Sequence, residues 1–186
     1  EGFYLAIDLA NEKGSDLIIG TDPDSDRIGV MVRDEKGEFI PISGNQMGVL
    51  LLDYIITARR AAGTLPENAA TLKSIVTTEM ARAVAEKNGV HIEDTFTGFK
   101  FLAERVAKFQ REGTYQYIMA YEESYGYMMG DYVRDKDAVT AAVLVAEMAA
   151  YYYDRGMTLK QAMDSLYEKY GYFGEKTINL VMPGLD

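Results

Sequence analysis

From about residue 41 onward, short apolar runs of strand character alternate with segments of helical period, and this alternation limits the fold more than any single residue does. Leu72–Thr77 reads as a strand, and Glu79–Asn88 as a helix that Gly89 ends. Val90–Glu93 is a second strand, with the lone His91 near its start in a structural role. Phe99, Leu102, Ala103, Val106 and Phe109 then recur at helical spacing, and Tyr115–Ala120 is a third strand. Two capping-box pairs bracket the region. Ser43 with Gln46 opens a helix that runs to about Arg60, and Thr158 with Gln161 opens one that carries Leu159, Ala162, Met163, Leu166, Tyr167 and Tyr170. The run AVTAAVLVAEMAAYYY, Ala138 to Tyr153, is broken by Glu147 and is too short to span a bilayer; it reads as a buried helix beginning near Asp135–Asp137. A last strand is expected over Lys176–Met182. The pattern is that of a layered α/β domain.

Residues 1–42 read differently. Leu5–Lys13 is the end of a helix closed by Gly14, Asp16–Gly20 and Ile28–Val32 are strands, and the turn DEKGE leads into a hairpin strand at Phe39–Ile42. This segment has the character of the tail of a preceding unit. The chain of 186 residues has room for one domain and part of another. It contains no cysteine, which removes disulfides, thiolate metal sites and cysteine nucleophiles, and fits a reducing cytoplasm. One histidine excludes a multi-histidine metal site, and a net charge of −10 argues against a nucleic-acid surface.

The acidity has a focus. In TDPDSDRIGV, Thr21 to Val30, three aspartates follow an apolar strand. In an extended segment, alternate residues share a side, so Asp22, Asp24 and Asp26 are expected to converge. Three carboxylates at one point repel one another unless a hard divalent cation, such as magnesium, lies among them. Pro23 stiffens the loop, and Arg27 is placed to reach an anion at the open position of the metal. The alternative is a solvated turn whose aspartates accept backbone N–H groups. An EF-hand fits poorly, because Arg27 and Arg33 stand where its glycine and its last glutamate belong.

With DLIIG before it and GNQMGVLLLDYI after it, this loop resembles the metal loop of the α-D-phosphohexomutases, in the bacterial phosphoglucomutase branch. TTEMARAVAEKNGV, DTFTGFKFLAE and EESYGYMMGDYVRDKDAV agree with that family in order, so the resemblance covers nearly the whole chain. It implies a four-domain enzyme that interconverts hexose 1-phosphate and hexose 6-phosphate through a phosphoserine and a bisphosphorylated sugar. It also implies one magnesium ion, with glucose 1,6-bisphosphate as intermediate and activator. On that resemblance residues 1–42 are the end of the metal-binding domain 2. Residues 43–186 are the sugar-binding domain 3, an α/β/α sandwich with a mixed sheet. Asp22, Asp24 and Asp26 would bind the metal and Arg27 would lie by the phosphoserine. Gly98 and Phe99 of TGFK, with Glu122 and Ser124 of EESYG, would contact the sugar. Lys136 of RDKDA would be an acid/base or phosphate contact.

The family's phosphoserine loop, T-x-S-H-N, and its phosphate loop, R-x-S-G-T, are not in this sequence. The expectation is therefore of a piece lacking domains 1 and 4, inactive alone and weak in binding magnesium. Its partners would be a small phosphosugar and the rest of its own chain, with no nucleic acid or membrane. Simpler roles stand beside these. EESYG reads also as a turn with Gly126 at positive φ, TGFK as a helix start capped by Thr97 with Phe99 in the core, and Lys136 as a surface lysine. Two rival functions remain open. One is a haloacid-dehalogenase-like phosphatase with Asp22 as nucleophile and Asp24 as acid/base; the other is a metal- or carbohydrate-binding module.

Overall fold

The computed structural model describes residues 2–130 and 132–176, together with Ile178 and Gly184. The strand expected over Lys176–Met182 falls outside them, save for Lys176 and Ile178.

The chain begins with helix α1 (Tyr4–Lys13), ended by Gly14 in the left-handed conformation at φ 66°. Strands β1 (Leu17–Thr21), β2 (Ile28–Arg33) and β3 (Phe39–Ile42) follow as an antiparallel sheet in sequence order. Thr21 stands opposite Ile28, so the aspartate loop is the connection that closes this hairpin. One face of the sheet packs under α1 through Ala10, Ile18 and Met31. The other face, with Ile28, Val30, Val32 and Ile42, joins the main core of the molecule.

Helix α2 (Gly44–Ala61) opens with the expected capping box, in which Ser43 accepts from the Gln46 N–H and the Gln46 side chain accepts from that of Ser43. Beyond it lies a second sheet, made of β4 (Ala69–Ser74), β5 (His91–Thr95), β6 (Gln116–Glu122) and β7 (Gly126–Met128) in the order β5-β4-β6-β7. The first three are parallel and β7 is antiparallel to β6, so the sheet is mixed. Helix α4 (Phe99–Glu112) covers one face, setting Phe99, Leu102, Val106 and Phe109 against Ala70, Leu72, Ala120 and Met128. Helices α2 and α3 (Met80–Lys87) lie on the other face, with α5 (Ala138–Tyr153) and α6 (Leu159–Tyr170) completing that layer. The result is the α/β/α arrangement that strand–helix alternation dictates. No helix among the described residues is long and apolar enough to cross a membrane.

Three details differ from the sequence pattern. β4 ends at Ser74 because the Thr77 N–H bonds back to the Ser74 carbonyl in a turn, which leaves Ile75 and Val76 exposed although their type suits a strand. β7 was hidden inside what reads as a loop. Finally, α5 is not enclosed. It buries the stripe Ala138, Ala141, Val145, Met148 and Tyr152, and leaves Val139 and Val143 exposed. An unbroken apolar run carries no periodicity to say which face is inside. The enclosed helix is α2, in which every residue from Met47 to Ile56 is buried.

Candidate active site

Parallel strands place their carboxyl ends, Ser74, Thr95 and Glu122, at one edge of the sheet, where ligands of open α/β sheets are found. The β1–β2 loop reaches the same edge. Ile28 N–H donates to the Tyr125 carbonyl at 3.2 Å, and Arg27 forms a bridge with Gly126, so the two sheets meet at this point.

Residues Asp22–Arg27 form a turn, not an extended segment. Ser25 N–H bonds to the Asp22 carbonyl at 3.0 Å and Ser25 takes φ 56°. The Oδ1 of Asp22 accepts the backbone N–H groups of Asp26 at 3.1 Å and Arg27 at 3.2 Å. The Arg27 N–H in particular holds the Asp22 carboxyl below the usual carboxylate range. Asp24 is exposed, and Asp26 turns toward Lys136. The alternation that would bring three side chains to one side therefore does not apply in this turn. Among the described residues, no three histidine or acidic side chains are grouped to hold a metal ion.

The β6–β7 connection supplies Glu122 and Ser124. Glu122 is buried, and its Oε1 accepts the Gly98 N–H at 2.5 Å. Gly98, at φ 119°, is the N-cap residue just before α4, and Thr97 does not cap that helix. Phe99 is buried, as expected. The positive φ in EESYG falls on Tyr125, at 68°, rather than on Gly126. Gly126 serves close approach instead: a Cβ there would lie 2.7 Å from the Phe99 ring and 3.0 Å from Cδ of Lys136. Arg27 Nη1 donates to the Ser124 carbonyl at 3.4 Å.

Lys136 ties these parts together. Its Nζ lies 2.9 Å from Asp26 Oδ2, 3.4 Å from Asp135 Oδ1 and 5.4 Å from the centre of the Phe99 ring. The hydrogen bond to Asp26 raises its pKa above that of a free lysine. Only 20% of the side chain is exposed, so it is not a free surface lysine.

Residues 43–170 match the family model of phosphoglucomutase/phosphomannomutase, alpha/beta/alpha domain III. The chain belongs to that family. Among curated relatives, the phosphoglucomutase of Staphylococcus aureus (strain MSSA476) is 35% identical over 184 residues, covering 99% of this chain and 32% of its own length. This chain thus spans about a third of the relatives it matches. Paramecium parafusin, a phosphoglucomutase, shares the fold at a TM-score of 0.64 and 19% identity, over 85% of this chain and 25% of that one. So does the Aspergillus fumigatus N-acetylphosphoglucosamine mutase solved with GlcNAc-6P and magnesium, at 0.60 and 16%, over 82% and 35%. The same fungal enzyme has been solved with glucose 1,6-bisphosphate, at 0.58 and 15%, over 83% and 32%. A dehalogenase-like phosphatase finds no support in these matches.

Within this phosphoglucomutase/phosphomannomutase domain, sequence reading missed two groups at the same edge. Lys73, fully buried, is matched by Glu79 at 2.8 Å and Asp94 at 3.2 Å, and Arg82 joins the same two acids. A lysine in an otherwise inward strand, with an acid six residues on, was the available signal. Glu123 Oε2 accepts the hydroxyls of Ser74 and Thr77, both at 3.1 Å. A cleft of about 490 Å³, lined in part by Asp22, Arg27, Ser124 and Tyr125, opens beside the assembled residues. A larger one of about 790 Å³, near Leu17, Val32, Ala149 and Tyr153, touches none of them. As to metal, carboxylate oxygens are the donors a hard cation takes and three lie within five residues, but here Asp26 is paired with Lys136 and the three are not gathered at one point.

Proposed function

We propose that this chain is the part of a phosphohexomutase that carries the metal loop and the sugar loop of an enzyme interconverting hexose 1-phosphate and hexose 6-phosphate. In this reading residues 1–42 close a metal-binding domain 2 and residues 43–186 form a sugar-binding domain 3, although Ile28, Val30, Val32 and Ile42 share the core of the larger part. A phosphoserine domain and a phosphate-clamping domain of the same polypeptide complete the enzyme. The protein is cytoplasmic, its substrate a small phosphosugar, and neither nucleic acid nor a membrane is a partner.

Asp22, Asp24 and Asp26 would hold magnesium, whose positive charge would oppose that of the phosphoryl group being transferred. The remaining work falls to side chains. Glu122 accepts from a ring hydroxyl through the carboxylate oxygen that Gly98 leaves open, and Ser124 donates or accepts beside it. Gripping ring hydroxyls rather than a phosphate lets one site hold the sugar in both orientations, as a bisphosphorylated intermediate such as glucose 1,6-bisphosphate demands. Gly98 and Phe99 wall the sugar. Arg27, with most of its guanidinium donors unengaged, faces the phosphate, and Lys136 moves a proton or contacts a phosphate oxygen.

The observation that carries this reading is the convergence at Lys136, which joins Asp26 of the first loop to Phe99 of α4 and Gly126 of β7. The test is a coupled assay of glucose 6-phosphate formation from glucose 1-phosphate, using the full-length protein with magnesium. Activity is expected, and Glu122→Gln should lower kcat/KM about a hundredfold. The chain by itself should not turn over. An inactive full-length protein, or one indifferent to Glu122→Gln, overturns the reading.

A further inference from the structure

We infer that Glu123 is a positioning residue, which fixes the backbone of the loop that presents Glu122 and Ser124; this rests on the sugar-binding reading of those two residues.

Three contacts converge on Glu123. Its Oε2 accepts from Ser74 Oγ and Thr77 Oγ1, both at 3.1 Å, and those hydroxyls lie 2.8 Å from one another. Its own N–H donates to Thr77 Oγ1 at 3.2 Å, so Thr77 is bound to Glu123 through both side chain and main chain. Its carbonyl oxygen rests on α2, where a Cβ on Gly44 would lie 1.9 Å away. Any side chain at position 44 therefore displaces the loop. The Ser74–Thr77 turn is gripped from its other side by buried Lys73, whose Nζ donates to the Thr77 carbonyl at 3.1 Å and contacts that of Ser74 at 3.5 Å. A lysine ammonium on the carbonyls and a glutamate on the hydroxyls hold one turn between opposite charges.

The neighbours of Glu123 explain why such an anchor is needed. Glu122 faces Gly98 on one side of the loop, and Tyr125 holds φ 68°, where a non-glycine residue is strained. A tight hairpin with a strained residue keeps one geometry only when its surroundings over-determine it. Glu123 points away from Glu122 toward β4, and so leaves its neighbour free for a ligand while setting where that neighbour stands. A displacement on the order of 1 Å at a positioning contact costs up to about a hundredfold in rate.

The experiment uses the full-length protein and four variants, Glu123→Ala, Glu123→Gln, Thr77→Val and Glu122→Gln, with kcat, KM for glucose 1-phosphate and the thermal midpoint measured for each. Glu123→Ala is expected to raise KM about tenfold with kcat less affected, Glu123→Gln to restore most of it, and Thr77→Val to reproduce the KM change. The pair Glu123→Ala with Thr77→Val should be no worse than the worse single variant, because both break one contact. KM and kcat within twofold of wild type for both Glu123→Ala and Thr77→Val overturn the inference, provided Glu122→Gln remains damaging. Loss of activity that follows the folded fraction alone, without rescue by glutamine, overturns it too. Should Glu123→Ala fail to fold, Thr77→Val decides by the same KM criterion. If Glu122→Gln itself leaves activity intact, the sugar-binding reading fails first.

Discussion

The two loops that build the candidate site are held in different ways. Asp22–Arg27 has its own internal support, since Asp22 caps the N–H groups of its turn, and is tied outward by Lys136 through Asp26, by the Ala138 N–H on the Ser25 carbonyl and by Arg27 on the Ser124 carbonyl. Glu122–Gly126 is held from without, by Thr77 and Ser74, by the Gly98 N–H, and by glycines at positions 44 and 126 that let neighbours come close. The first arrangement leaves carboxylates near solvent, as the proposed metal loop would require. The second fixes its backbone, as the proposed grip on ring hydroxyls would require. Ligand loops of low local stability beside a rigid scaffold are a common division of work.

The comparison breaks first at Gly44. A methyl there would sit 1.9 Å from the Glu123 carbonyl oxygen, a backbone atom that cannot rotate away. Gly44→Ala is expected to cost about 3 kcal/mol, at the upper end of overpacking effects, read as a shift in the urea midpoint. A loss below about 1 kcal/mol would show that the second loop yields easily, and the contrast between the loops would go.

How much of this the sequence showed depends on whether the signal was local. Strand–helix alternation and both capping boxes were legible because caps and periods are written in consecutive residues, and both boxes form. The grouping of Gly98, Phe99, Glu122, Ser124 and Lys136 was reached through family motifs, since nothing in the spacing of Glu122 and Gly98 says that they touch. The geometry of the aspartates was misjudged. Period-two alternation holds only in extended chain, and Ser25 in the left-handed region turns the loop instead. The role of Gly126 was misassigned for a related reason: a glycine in a turn suggests positive φ, but whether it serves φ or close packing depends on Phe99 and Lys136, distant in sequence. Glu123 was overlooked because its partners, Ser74 and Thr77, belong to a turn that reads as strand.

A smaller effect is expected at Lys136, the side-chain ion pair that ties the first loop outward. Lys136→Met should cost about 1 kcal/mol at neutral pH, the upper end for a partly exposed ion pair. The pH dependence follows from the raised pKa. Stability from this pair is fully present below the ordinary lysine value of about 10.4 and is lost as pH rises through the higher value in the folded protein. The urea midpoints of wild type and Lys136→Met should therefore converge as pH rises past that higher value. A gap that persists there would mean that Lys136 stabilises through packing on Phe99 rather than through its charge.

The smallest effect belongs to Asp22, because its partners are backbone groups of its own turn and water competes for the same carboxylate. Its pKa is lowered, chiefly by the Arg27 N–H, so its contribution is present above the unfolded aspartate value of about 3.9 and is lost as pH falls through the lower folded value. An asparagine side chain in its place would keep an acceptor oxygen and lose the charge. Asp22→Asn should thus leave stability near pH 7 little changed and flatten only the acid limb of the stability curve, below about pH 4. Carboxyl titration by NMR gives the direct reading. An Asp22 that titrates at or above the ordinary aspartate range is not accepting those two N–H groups, and the first loop would then lack the internal support that distinguishes it from the second.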